Sequence, residues 1–99
     1  MEDVVYYNNL YDLYGCLLTE KQRQYFEDYY FHNLSFTEMA ENYGISRNAV
    51  FKQVHIVVLK LKEYEDKLKL FEKKKKLEKI ILKIDDKSIE RELENIFEI

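Results

Sequence analysis

Proline is absent from this chain of 99 residues, and glycine occurs only twice, at Gly15 and Gly44. A sheet protein needs turn-forming residues at every hairpin, glycine and proline foremost. The scarcity of both predicts an all-α fold with short connections. It also excludes a glycine-rich phosphate loop, because neither glycine has a glycine neighbour with which to form one. With 46% hydrophobic and 35% charged residues, the chain has the composition of a folded protein. Its length suits one domain, or one domain with an appended arm, burying about two-thirds of the unfolded surface. A single cysteine, Cys16, allows no internal disulfide and no multi-cysteine zinc site. The longest apolar run, 56–59, falls far short of the about 18 residues that span a bilayer, so membrane insertion is not expected. Glu2 and Asp3 stand where a signal peptide carries positive charge, and a cytoplasmic location is expected.

Charge is divided unevenly. Residues 1–45 carry eight acids against Lys21 and Arg23, a net of −6. Residues 46–62 carry Arg47, Lys52, Lys60 and Lys62 with no acid, a net of +4. Residues 63–99 are close to balanced at −1. One short segment is therefore basic inside an acidic protein of net charge −3.

Apolar periodicity and capping residues lay out the helices. Val4, Tyr7, Leu10, Tyr11 and Tyr14 recur at spacings of three and four, which predicts a first helix. Gly15 is expected to stop it in the left-handed conformation. Thr19 with Gln22, and Ser35 with Glu38, have the spacing of capping boxes and open a second and a third helix. Gly44 ends the third, and Ser46 caps a fourth that has no breaker for about thirty residues. Along it Val54, Val57, Leu61, Tyr64, Leu68 and Phe71 alternate in steps of three and four, a heptad seam that predicts a packing partner. The lysine run 73–76 interrupts that pattern, and a bend or a new helix is expected there. Asp85, Asp86 and Ser88 supply caps for a last helix, with Ile89, Leu93, Ile96 and Phe97 on one face.

Residues 36–55 combine the features of a helix-turn-helix. Ala40 is small where two helices cross, and Gly44 tolerates the positive φ of the turn. Ile45 is the expected apolar plug, and Val50 and Val54 the inward side of the second helix. With L-T-E-K-Q-R at 18–23 and L-S-F-T-E-M-A-E-N-Y-G-I-S-R-N-A-V at 34–50, the segment resembles region 4 of bacterial sigma factors. Adding L-Y-D-L-Y-G-C-L-L-T-E-K-Q at 10–22 and E-Y-E-D-K-L-K-L-F at 63–71, the chain is similar to the YlxM-like family of small cytosolic helix-turn-helix proteins. That resemblance implies a regulatory association with the signal recognition particle, through its GTPase or its RNA.

In a helix-turn-helix protein the first turns of the second helix enter the major groove. The helical projection places Asn48, Phe51, Lys52, His55, Leu59 and Lys62 outward, with Arg47 at the margin. Arg47 suits phosphate or guanine, Asn48 adenine and Lys52 phosphate. Thr37, Ser46 and His55 complete the expected nucleic-acid face. Against this, Phe51, Ile56 and Leu59 make the helix apolar on nearly every side, which suits protein contact. Four cations give only a weak counterion-release contribution. Nucleic-acid binding and protein binding therefore stand as alternatives, the protein-facing set being Phe51, Leu59, Tyr64, Leu68 and Phe71.

No catalytic constellation is present, and no enzyme, cofactor or metal is expected. His32 and His55 lie 23 residues apart without other ligands around them. Cys16, followed by Leu17 and Leu18, is expected to be buried. Asp85 and Asp86 are read as caps, the tyrosines as core with their hydroxyls at the rim, and the lysine run as a solvated face. The expectation is a sigma-region-4-like helix-turn-helix bundle over residues 1–62 with a long helical arm over 63–99. The arm is expected to hold a homodimer, whose two copies would read two half-sites if the ligand is DNA.

Overall fold

Side-chain caps within three residues of each start define most of the helices. The computed structural model describes residues 3–97, and among these the chain forms six α-helices, a 3-10 turn and no strand. Asp3 accepts from the Tyr6 amide and opens α1, Val4–Tyr14. Thr19 and Gln22 form a reciprocal capping box at the start of α2, Glu20–Tyr30. Ser35 and Glu38 do the same for α3, Phe36–Tyr43. Ser46 accepts from the Ala49 amide and opens α4, Arg47–Leu68. The remaining helices are α5, Leu70–Ile81, and α6, Lys87–Phe97. Asp86 accepts from the Ser88 and Ile89 amides at the start of α6. The all-α helix-turn-helix architecture expected from the sequence is the one adopted.

Helix α4 is the centre of the molecule, with α1, α2 and α3 packed on it. Val50, Val54, Val57, Val58 and Leu61 are its buried side, and they meet Leu10, Tyr14, Phe26 and Met39. The inward assignment of Val50 and Val54 holds, since both are fully buried. The plug does not: Ile45 is 37% exposed, while Met39 is fully enclosed. Gly44 takes φ 67°, and the Ile45 amide turns back to the Ala40 carbonyl. The interior position thus falls to a long unbranched side chain on α3 itself.

Gly15 ends α1 by a different device from the one expected. Its φ is −56°, right-handed, and it continues into the 3-10 turn Gly15–Leu17. What the position demands is space: a Cβ there would stand 3.1 Å from the Tyr11 ring. That ring is stacked on Phe26 with centroids 4.4 Å apart, so it has little freedom to move aside. Cys16 beside it is exposed rather than buried, because the 3-10 turn aims Leu18 inward instead.

The long fourth helix also ends earlier than the sequence predicts. Lys69 adopts φ 56°, the left-handed conformation, after 22 residues of α4. The break falls at neither a glycine nor the lysine run, which lies within α5. A cluster reaching back to α1 holds the corner. The Tyr14 hydroxyl donates to Glu65 at 2.6 Å and accepts from the Leu70 amide at 2.9 Å. Glu65 also accepts from the Phe71 and Glu72 amides. The first three amides of α5, which have no partner inside the helix, are thereby satisfied. Leu70 and Phe71 turn onto the core.

The heptad seam is consequently covered in large part by the chain itself. Val54, Val57 and Leu61 are core, Tyr64 lies 5.9 Å from the Tyr14 ring, and Phe71 packs edge-on against Tyr6. Leu68, at the end of α4, remains 45% exposed. Helix α6 rests on α5 and buries no residue completely. The result is elongated, 54 × 25 × 24 Å.

Candidate interface on the recognition helix

The outer face of α4 is built by the turn that precedes it. Because Ser46 Oγ caps the helix, its hydroxyl is engaged with backbone, and Arg47 and Asn48 fall in the exposed first turn. One turn on come Phe51 and Lys52, then His55, and finally Leu59, all exposed. Stepping 100° per residue keeps these positions on one side of the helix, away from Val50 and Val57. Thr37, on the first turn of α3, is exposed as well. Phe51 is 46%, Ile56 42% and Leu59 49% exposed.

Aromatic contacts organise this face across three helices. Tyr29 of α2 stacks on Phe36 of α3 at 4.7 Å and 10°. Phe36 meets Phe51 edge-on at 5.6 Å. Phe51 lies parallel to His55, with planes 5° apart and centroids separated by 6.0 Å. The Arg47 guanidinium sits 5.9 Å from the Phe36 centroid, a cation–π approach. The row Tyr29, Phe36, Phe51 and His55 therefore runs from half-buried scaffold to exposed edge, flanked by Arg47. Tyr29 and Phe36 are the members absent from the face expected from the sequence, and only the packing of α2 and α3 beside α4 brings them into line with Phe51.

The structure thus gathers Arg47, Phe51 and His55 by direct or shared ring contact, with Asn48 and Lys52 on the same face. It separates from them Tyr64 and Phe71, which face α1. Lys62 approaches the Tyr7 ring at 5.3 Å. Such an arrangement offers planar apolar surface, a guanidinium, an ammonium and an amide for recognition. Among the described residues no group of three His, Cys, Asp or Glu is placed to hold a metal ion. No helix of the described residues is long and apolar enough to cross a membrane.

Over residues 1–98 the chain matches the family described as helix-turn-helix protein, YlxM / p13 like. It is 36% identical over 98 residues to a UPF0122 protein of Fusobacterium nucleatum subsp. nucleatum, covering 99% of this chain and 95% of that relative. To a UPF0122 protein of Bacillus thuringiensis it is 34% identical over 103 residues, covering 99% and 94% of the two chains. A third relative, from Geobacillus sp., is 40% identical over 86 residues, with 87% and 78% covered.

Proposed function

Because the chain belongs to the UPF0122 family of YlxM / p13-like helix-turn-helix proteins, we propose that it is a regulatory binding protein of the signal recognition particle pathway. It works in the cytoplasm as a homodimer, and it contacts the particle's GTPase or its RNA through the outer face of α4. The observation that carries this reading is the mixed character of that face. Phe51 and Leu59 are nearly half exposed beside Arg47 and Lys52, whereas isolated surface helices keep their outer side polar. Apolar area of this kind beside cations marks a contact surface. The pathway itself is supported by the family resemblance.

A second reading, a dimeric DNA-binding regulator, is favoured by Arg47 and Asn48 in the first exposed turn of α4, the turn that reads base edges in this motif.

The two readings separate on purified components. Titrating the protein into the particle's GTPase, with and without the particle's RNA, should give a complex at micromolar concentration. Phe51→Ala with Leu59→Ala should weaken it at least tenfold, an effect of about 1.4 kcal/mol. Absence of binding to both components would overturn the first reading. A steeply salt-dependent complex with duplex DNA, abolished by Arg47→Ala with Lys52→Ala, would establish the second.

A further inference from the structure

The outer face of α4 carries an arrangement of rings that a groove-reading helix does not need. Phe51 and His55 present parallel planes on consecutive turns, and Phe36, stacked on Tyr29, meets Phe51 edge-on. In the major groove of a duplex, a phenylalanine offers no hydrogen bond and meets only the thymine methyl group. Its flat faces become useful when bases are out of the helical stack and free to lie on them.

We propose that this row is a stacking platform for the unpaired bases of an RNA loop or bulge. Phe51 and His55 supply the planes, and Arg47 and Lys52 hold the adjoining phosphates. The proposal rests on the reading above, and names which kind of partner its α4 face accepts.

Charge favours nucleic acid over a protein partner at this position. Arg47 and Lys52 flank the rings, and residues 46–62 contain no acid, whereas the centre of a protein interface is depleted of lysine. The number of cations favours a short unpaired stretch over a long duplex. Few phosphates can be neutralised, and the −6 carried by residues 1–45 opposes the close approach of an extended polyanion. Stacking supplies the affinity that so few ion contacts leave missing. Folded RNA presents unpaired bases as a standing feature of its loops and bulges, and that makes it the fitting occupant.

The experiment uses the full chain and three fluorescent probes of equal length: an unstructured pyrimidine RNA, a blunt RNA duplex and a blunt DNA duplex. The unstructured RNA should bind about tenfold or more tightly than either duplex. Phe51→Ala should weaken that binding about tenfold or more, as loss of one stacked base does, with its helical circular dichroism unchanged. Phe51→Trp should retain affinity. Since the chain contains no tryptophan, that variant also carries a single reporter, whose emission should be quenched by a stacked base. Equal or tighter binding of a duplex, wild-type affinity in Phe51→Ala, or an unquenched Trp variant in the saturated complex would each overturn the proposal. If the purified GTPase binds through Phe51 and Leu59 while none of the probes binds, the pathway reading survives and the stacking platform falls. If the unstructured RNA behaves as expected but neither particle component binds, the reverse holds.

Discussion

Three tyrosines do more in this protein than fill space. The hydroxyls of Tyr11, Tyr14 and Tyr43 donate to Glu27, Glu65 and Asp28, respectively. The sequence predicts core rings with their hydroxyls at the rim, and their partners could not be named from it. The carboxylates lie 16, 51 and 15 residues away, respectively, on other helices. Burial, and then the hydrogen bond to the neighbouring carboxylate, hold all three hydroxyls above their ordinary range; Tyr14 is pushed up to about 12. A folded-state value above the unfolded one means that the native protein holds its proton more tightly. The contribution is therefore complete below pH 10 and is lost as pH rises toward 12 for Tyr14. Tyr14→Phe should cost about 2 kcal/mol at neutral pH, the value of a hydrogen bond to a charged group. It should also flatten part of the alkaline loss of stability. Urea midpoints measured from neutral pH through that window check both outcomes, and an unchanged alkaline slope would count against the assignment.

Helices α2, α3 and α4 were legible at their starts, because each cap lies three residues from the amide it satisfies. The end of α4 was not. Lys69 has a poor side chain for φ 56°, and a lysine there costs roughly 1–2 kcal/mol relative to the right-handed conformation. The corner persists because Tyr14 and Glu65 satisfy the α5 amides and because Leu70 and Phe71 reach the core. Lys69→Gly should raise stability by about 0.5–1 kcal/mol, the relieved strain exceeding glycine's added freedom in the unfolded chain. Chemical denaturation measures it, and a lower midpoint would refute the account of the corner as strained. The lysine run continues α5 without a bend. There Glu72 pairs with Lys76 at 3.3 Å and with Lys69 at 3.9 Å, exposed contacts of small worth.

The whole molecule is longer than a compact chain of its size. Its radius of gyration is 16.8 Å, against about 13 Å for a globular domain of about 100 residues. Helix α6 touches α5 and leaves Ile89 47% and Ile96 77% exposed, with Leu82 at 86% in the preceding turn. The heptad seam is a weaker argument for a partner than it was in the sequence, since α1 covers Tyr64 and Phe71. The apolar face formed by Leu82, Ile89 and Ile96 is the stronger one. We propose that a second copy covers it, and sedimentation at micromolar concentration should give a dimer. Ile89→Glu with Ile96→Glu should shift the protein to monomer without loss of helix content. A wild-type monomer at that concentration would rule the dimer out.

Glycine and proline scarcity, apolar spacing and short-range caps were enough to establish an all-α helix-turn-helix chain and the inward side of α4. Each depends on residues within a turn or two of one another, so a linear reading reaches them. The corner at Lys69, the partners of the buried tyrosine hydroxyls and the replacement of Ile45 by Met39 in the interior emerged from packing. So did the alignment of Tyr29, Phe36, Phe51 and His55 from three helices into one row. Those features join positions tens of residues apart, and their energies exist only once α1, α2 and α3 have closed around α4.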